Sequence, residues 1–186
     1  MPKQKITKDM VVDAAFEMAR ELGIEKVTVK TLAEKLGCSV QPIYSYCQSM
    51  DGLFRDVYLK SEQFMGEYLA ARIDRADFFR STGCAYIQMA KEEPNVFRMF
   101  LMHQREGVSS LDDIYQSETD PGMAGFIAKE LHISVEKART LHRNMMIYTI
   151  GIGTVLAMSS PGIPVEEITG QLELAYQAFL EQAINE

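Results

Sequence analysis

The sequence contains no tryptophan and only three cysteines and three histidines among 186 residues. Cys38, Cys47 and Cys84 form no close pair, and the histidines are scattered elsewhere, so these residues lack the short spacings of a metal-binding cluster. We therefore expect no metal and no cofactor. The cysteines are interpreted as buried, reduced thiols of a cytosolic protein, with a redox switch as the alternative.

Long uninterrupted apolar segments are also missing. The amino-terminal charges, such as Lys3, Lys5 and Lys8, are not followed by the apolar core of a signal peptide. The best membrane candidate, Met145 to Met158, is shorter than the roughly 20 residues needed to span a bilayer. The run therefore predicts a buried helix, and we expect a cytoplasmic protein that does not act in a membrane.

Positive charge is scarce, because 19 Lys and Arg stand against 26 Asp and Glu. The excess acidity is unevenly distributed. Residues 1–50 hold seven basic and six acidic side chains, whereas residues 51–186 hold twelve and twenty. An almost neutral amino-terminal region still binds nucleic acid if its few cations face the phosphates.

The recognisable settings of enzymatic residues are absent as well. No Ser, Cys or Lys nucleophile has a partner motif, and there is no phosphate-binding loop. Gly151 and Gly153 form a GxG inside a helical pattern, without the preceding strand of a nucleotide-binding fold. We therefore predict a protein that is not an enzyme.

The informative segment is Thr28 to Tyr46, TVKTLAEKLGCSVQPIYSY. Its first half has apolar residues at helical spacing, Thr28 placed to cap the helix and Gly37 placed to end it in a left-handed conformation. Ser39 is placed to cap a second helix, whose first turn tolerates Pro42. This pattern predicts a helix-turn-helix, whose second helix enters the DNA major groove, although plain helical hairpins share the same spacing.

The second helix has two predicted faces. Ile43 and Cys47 are four residues apart and should face the core, which leaves Val40, Gln41, Tyr44 and Ser45 outward. Gln41 carries the donor and acceptor that an adenine edge requires. Val40 and Pro42 suit thymine methyl groups.

Residues 14–57 resemble the amino-terminal domain of the TetR family of bacterial transcriptional regulators. The resemblance is carried by Ala14-Ala15, Gly23, Thr28, the LAEKLG run, Ile43-Tyr44-Ser45-Tyr46 and Leu53-Phe54. It implies that Lys30, Val40, Gln41, Pro42 and Ser45 lie near bases, and that Thr28, Tyr44 and Tyr46 contact phosphates. Packing of the two tyrosines against the first helix is the alternative. Together with Ser39, these residues form the predicted DNA-binding set.

Two positions depart from the family pattern. Met50 stands where members often carry a lysine at the start of the fourth helix, and Cys47 stands where an aromatic residue is usual. No Lys or Arg occurs between Lys35 and Arg55. The reading helix therefore has no basic side chain for guanine, and Lys30 must supply any cationic base contact.

The rest of the chain is predicted to be helical, which gives an all-α fold of about nine helices. Residues 1–50 form the three-helix DNA-binding domain, and residues 51–186 form a regulatory domain for ligand binding and dimerisation. Beyond the helix-turn-helix and a first helix at 7–22, the apolar spacing predicts helices at about 51–73, 80–93, 95–104, 123–131, 134–158 and 165–184. The stretch Gly107 to Asp120 is rich in Ser, Asp and Gly and is predicted to be a mobile loop or a frayed turn.

The resemblance also implies a small-molecule effector bound in the regulatory domain. Aromatic and methionine side chains near the predicted helix crossings favour a largely apolar ligand, although such stripes more often form core. The candidates are Tyr86, Met89, Phe100, His103, Phe126, Met145 and Tyr148. His103 and His142 are the best polar candidates, and the alternative for each is a surface histidine or a core histidine with a satisfied hydrogen bond.

The predicted function is a ligand-responsive repressor that binds a palindromic operator as a homodimer through its last two helices. The second hypothesis is a helical small-molecule binding or interaction protein that has lost specific DNA reading. It draws support from the missing basic residues of the reading helix. Neither the effector nor the operator sequence can be read from the residues.

Overall fold

The structure is a computed structural model that describes residues 6–47, 49–102, 107–159 and 162–185. Within these ranges there is no strand, which confirms the predicted all-α class. The helices are α1 (Lys8–Leu22), α2 (Val29–Leu36), α3 (Val40–Cys47), α4 (Met50–Ala70), α5 (Phe78–Glu92), α6 (Pro94–Met102), α7 (Leu111–Glu118), α8 (Met123–Leu131), α9 (Val135–Ser159) and α10 (Val165–Asn185). Single 3₁₀ turns cover Ile24–Lys26 and Arg75–Asp77.

The chain forms two compact units. The first comprises the described residues of Met1–Tyr68 and Glu93–His103, and the second those of Leu69–Glu92 and Gln104–Glu186. Helix α6 and almost all of α4 thus belong with α1, α2 and α3. The predicted boundary at residue 50 separates a DNA-binding domain from a regulatory domain. The division into compact units does not show which residues bind DNA, so that boundary stays a prediction.

Helix α1 is the centre of the first unit. Thr7 caps it by accepting a hydrogen bond from the Met10 amide, and its inner face, with Val11 and Ala15 fully buried, contacts α2, α3 and α6. Its carboxyl end is held by Arg20, whose guanidinium donates to both carboxylate oxygens of Glu93 at 2.6 and 2.9 Å. Such a two-point ion pair fixes the approach of α6 more narrowly than a single contact.

Helix α9 is the centre of the second unit. It packs against α5, α8 and α10, and the side chains of Ala138 and Leu141 are fully buried. Helices α5 and α10 also meet directly at Gly83, where a Cβ atom would lie 3.3 Å from the Leu172 side chain. A larger residue at position 83 would therefore require the Leu172 side chain to shift.

The predicted loop between Gly107 and Asp120 is wrong, because it contains helix α7. Ser110 caps this helix by accepting from the Asp113 amide, while the Asp113 carboxylate accepts from the amide and hydroxyl of Ser109. Tyr115 is buried and anchors the helix to the unit. The Ser and Asp residues that suggested a loop are the capping residues of a two-turn helix, which raises the number of helices in the described ranges from about nine to ten.

Among the residues that the structure describes, no helix is both long enough and apolar enough to cross a membrane. The apolar run from Met145 to Met158 is part of α9, and its buried positions face the other helices of the second unit. The run is helical as predicted, but only one of its faces is buried, because Ile147, Val155 and Met158 are exposed.

Candidate nucleic-acid interface

The helix-turn-helix is formed by α2, a turn and α3. Thr28 accepts from the Thr31 amide at 3.1 Å, and the Thr31 hydroxyl accepts from the Thr28 amide at 2.9 Å, so the two threonines cap the start of α2 reciprocally. Gly37 ends α2 with φ 62° and ψ 33°, the left-handed conformation that glycine adopts without strain. Both predicted helix boundaries are confirmed.

Helix α3 divides into an inner and an outer face. Ile43 and Cys47 are 1% and 7% exposed, whereas Val40 and Tyr44 are 44% and 54% exposed. Gln41 and Ser45 are exposed as well. The predicted orientation of the helix is therefore confirmed, and α3 presents a polar and apolar surface with no charged side chain.

The hydroxyl of Ser45 is already engaged within α3. It donates to the carbonyl oxygen of Gln41, one turn earlier, at 3.0 Å. Its lone pairs remain available, so Ser45 faces outward as a hydrogen-bond acceptor. The side-chain amide of Gln41 offers both a donor and an acceptor from the same exposed face.

The other members of the predicted DNA-binding set are also at the surface. Thr28, Lys30 and Ser39 are exposed, Tyr46 is 36% exposed, and Pro42 is partly buried in the first turn of α3. The exposure of Tyr44 disfavours packing against α1 for that ring. The structure thus leaves most of the set at the surface of the helix-turn-helix, while the contacts of these residues with DNA stay a prediction.

The junction between α3 and α4 is tight. Helix α4 begins at Met50, the position where a phosphate-binding lysine was expected. Two residues later, a Cβ atom at Gly52 would lie 2.6 Å from the carbonyl oxygen of Cys47, which is closer than real contacts allow. Gly52 was not singled out from the sequence, because a glycine in the first turn of a helix has no special signal of its own.

Two lysines near this surface are paired with carboxylates. Lys8 lies 2.8 Å from Asp56, and Lys60 is paired with Asp13. Both pairs join α1 to α4. Hydrogen bonding and Coulomb attraction to Asp56 raise the pKa of Lys8 above its usual value. The charges of Lys8 and Lys60 are therefore largely balanced by carboxylates of the protein. Lys30, by contrast, is exposed on α2 without a carboxylate partner in the described structure.

The cysteines are less uniformly buried than expected. Cys47 is buried, but Cys38 and Cys84 are partly exposed. Cys38 directly follows the left-handed Gly37 in the turn between α2 and α3. Burial raises the pKa of the Cys47 and Cys84 thiols, which keeps both in the less reactive protonated form.

The predicted ligand-binding residues are not gathered around a described cavity. Met89 and Met145 are buried in the core, and burial raises the pKa of Tyr86. Phe126 is 48% exposed and stacks edge-on against Phe78, with ring centroids 5.1 Å apart. Tyr148 packs against Phe179 of α10, Phe100 lies in the first unit, and His103 lies outside the described residues. The ligand set therefore stays a prediction.

One small cavity opens between the amino-terminal part of α9 and the carboxyl-terminal part of α10. Its volume is about 120 Å³, well below the roughly 300 Å³ at which drug-sized pockets begin. It is lined by Glu136, Lys137, Thr140, Asn144, Phe179, Gln182 and Ala183. None of the predicted ligand residues lines it.

His142 has the environment of a satisfied core histidine, one of the two alternatives left open by the sequence. Its Nδ1 atom lies 3.0 Å from the hydroxyl of Tyr115, and its ring meets the rings of Tyr115 and Phe79 edge-on. Burial lowers the pKa of His142 to about 4, so the imidazole is neutral at pH 7. Tyr115 was missed because it lies in the segment predicted to be a loop.

No group of three or more His, Cys, Asp or Glu side chains in the described ranges is arranged to hold a metal ion. Arg143 of α9 pairs with Asp112 of α7 at 2.6 Å, and Arg139 lies over the ring of Tyr115. The polar groups around His142 therefore belong to the packing of α7 against α9.

Comparison with known proteins identifies the amino-terminal unit. Residues 11–57 match the family model described as "Bacterial regulatory proteins, tetR family". This segment is a TetR-family DNA-binding domain. The match runs from α1 to the first part of α4, so it includes the whole helix-turn-helix. The family model describes bacterial regulatory proteins, and its match to the helix-turn-helix supports a DNA-binding regulator.

Solved structures share the fold over nearly the whole chain. A TetR-like transcriptional regulator from Rhodococcus sp. RHA1 has a TM-score of 0.66 at 16% identity, with 96% of this chain and 98% of that chain covered. A TetR-family regulator from Streptomyces coelicolor has a TM-score of 0.68 at 12% identity, with coverages of 95% and 81%. A TetR variant from Acinetobacter baumannii AYE, in complex with minocycline, has a TM-score of 0.63 at 16% identity and coverages of 96%. No curated protein sequence matches this chain.

Proposed function

We propose that this TetR-family regulator is a ligand-responsive repressor that binds a palindromic operator as a homodimer. The observation that carries the proposal is the outer face of α3, where Val40, Gln41, Tyr44 and Ser45 are exposed while Ile43 and Cys47 hold the helix on the core. A helix presented in this way fits the major groove with its side chains toward base edges. Since the partner is chromosomal DNA, the protein acts in the cytoplasm.

An exposed apolar stripe on the last two helices supports the homodimer. Ile147, Gly151, Val155 and Met158 lie on one exposed face of α9, and Leu174 of α10 is 60% exposed. Nothing lies within 4 Å of a Cβ atom built on Gly151, so a second backbone can approach there. A contiguous apolar face of this kind typically marks a protein–protein interface.

Two-fold symmetry then determines the arrangement of the operator. Two copies of α3 related by a dyad reach successive major grooves on one side of the duplex, so the half-sites are about 34 Å apart or somewhat farther. An effector that binds one conformation of the second unit more tightly shifts the dimer away from that spacing. A coupling of about 1–3 kcal/mol is typical of such regulation.

The effector is proposed to be a small, largely apolar molecule. Members of the family bind small-molecule effectors, and the similar Acinetobacter structure contains minocycline. In this chain the support is the aromatic and methionine content of the second unit, including Tyr86, Met89, Met145 and Tyr148. Thermal-shift screening in which only strongly polar metabolites raise the melting temperature would contradict the apolar assignment.

Fluorescence anisotropy tests the proposed function directly. The purified full-length protein is titrated into duplexes from its own upstream region and into scrambled duplexes of equal composition, at two salt concentrations. We expect the protein to bind the upstream duplex and not the scrambled one at the higher salt, with a stoichiometry of two chains per operator. The proposed function would be refuted if the protein bound specific and scrambled duplexes equally and lost both at the higher salt. This result would have to hold for upstream DNA and for genome-selected DNA.

A second candidate function is a helical binding protein without sequence-specific DNA reading. The observation in its favour is that α3 has no charged side chain, while Lys8 and Lys60 are paired with carboxylates. Failure of genome-selected DNA to bind, together with a ligand that raises the melting temperature, would favour this candidate over the regulator.

A further inference from the structure

We infer that α3 reads A·T base pairs in preference to G·C and makes no charged contact with guanine, so that the part of each operator half-site under α3 is rich in A·T. The inference rests on the proposed function and specifies the DNA chemistry that the same site accepts. Three features of α3 carry it: its neutral outer face, the committed proton of Ser45 and the exposed apolar group at Val40.

Guanine presents two acceptors, N7 and O6, to the major groove, and strong readout of guanine needs two donors on one side chain, usually from arginine or lysine. The segment Val40–Cys47 has no such residue, and the neighbouring cations in sequence are Lys35 on α2 and Arg55 on α4. Lys30, also on α2, is left as the cationic group of the predicted set, outside the helix that enters the groove. The charged donor pair that usually reads guanine is therefore absent from α3.

Adenine presents an acceptor beside a donor, and this pattern matches the exposed polar groups of α3. The amide of Gln41 offers a donor and an acceptor together, which suits adenine N7 and N6. Ser45 adds an outward acceptor, because its proton is donated to the Gln41 carbonyl at 3.0 Å. An acceptor there suits an amino group, on adenine or on cytosine, and opposes the acceptors of guanine.

The apolar part of the outer face suits thymine. Val40 is 44% exposed at the first position of α3, and Pro42 is partly exposed two residues later. A C5-methyl group is the apolar feature that distinguishes thymine in the major groove. Burying one such methyl against Val40 favours thymine over a base without it by about fourfold, from the transfer free energy of one methylene-sized group.

Selection of bound duplexes from a random-sequence pool by the full-length protein is the first experiment. The expected outcome is an inverted repeat whose half-sites are A·T-rich at the positions read by α3, with G·C pairs confined to their flanks. An inverted repeat with guanine at those positions would overturn this inference while leaving the proposed regulator intact. A pool that converges on no sequence would refute the proposed function and this inference with it.

Methyl removal and side-chain truncation then assign the contacts. Each thymine of the selected half-site is replaced by deoxyuracil, which lacks only the C5-methyl group, and binding is measured for the unchanged protein and for Val40→Ala. We expect about a fourfold loss at one thymine in the unchanged protein and no further loss at that position in Val40→Ala. Equal losses in both proteins at every thymine would overturn the thymine contact.

The adenine contact is tested with Gln41→Ala. This variant should lose roughly tenfold discrimination at a single A·T position and bind the other positions as before. Leu59→Ala is the matched control, because it also shortens an exposed side chain in the first unit, but on α4. Unchanged discrimination in Gln41→Ala, or an equal change in Leu59→Ala, would overturn the assignment. Melting temperatures of all three variants verify that they are folded.

Discussion

Replacing His142 should remove a large part of the acid sensitivity of this protein. The imidazole is partly buried between α7 and α9, with Tyr115 on its Nδ1 side and Phe79 against its ring. Burial lowers its pKa from 6.5 to about 4 in the folded chain. In the unfolded chain the same ring takes up a proton near pH 6.5, so the unfolded state binds more protons between these two values.

The sign of the effect follows from that difference. The free energy of unfolding is unaffected by this group above about pH 6.5, falls as the pH drops toward about 4, and reaches its full loss below that value. A pKa difference of this size corresponds to about 3 kcal/mol in full, and to about 2 kcal/mol between pH 7 and pH 5. For a marginally stable domain this is a substantial fraction of the total stability.

Urea denaturation at pH 7 and pH 5 measures the effect. His142→Asn retains an acceptor near the Tyr115 hydroxyl but does not titrate, so its loss of stability between the two pH values should be smaller by about 2 kcal/mol than that of the unchanged protein. His132→Asn is the control, because His132 is exposed and its left-handed conformation suits asparagine. An identical pH dependence in all three proteins would refute the assignment of a buried neutral imidazole.

Three further predictions concern the first unit and the proposed dimer. Gly52→Ala should lower the free energy of unfolding by about 1–3 kcal/mol, because its Cβ meets a backbone oxygen. Gly66→Ala, on the open side of α4, should raise it by about 0.5–1 kcal/mol. A denaturant titration in which Gly52→Ala is the more stable of the two variants would contradict the packing described. Lys30→Ala should weaken operator binding for all sequences and make the slope of log K against log salt shallower by about 1, as measured by anisotropy at several salt concentrations. Val155→Asp should convert the dimer to monomer in light scattering, while Leu22→Asp, an equally exposed apolar position on α1, should not.

Much of the helix-turn-helix could be predicted because its signals are local. Thr28 and Gly37 mark helix ends through their own backbone and side-chain chemistry, and the four-residue spacing of Ile43 and Cys47 determines which face of α3 is buried. These signals do not depend on distant parts of the chain. The expected orientation of α3 was therefore found in the structure.

The parts that could not be predicted depend on contacts between distant segments or on the path of the backbone. Helix α7 has a loop-like composition, and it is stabilised by burial of Tyr115 against His142, which lies 27 residues away in sequence. The close approach of Gly52 to the Cys47 carbonyl is local, but it depends on the backbone path between α3 and α4, for which the residue types gave no signal. The ligand set remained a prediction, because apolar side chains at helical spacing serve core and pocket equally well.

The contact between Gly52 and Cys47 also determines how the reading helix responds to movement. Because a backbone oxygen fills the space that a side chain would occupy at position 52, no change of rotamer is available there to absorb a shift of the first turn of α4. A displacement of that turn must be passed to the end of α3. We expect a tilt of α4 to change the angle at which α3 meets the groove.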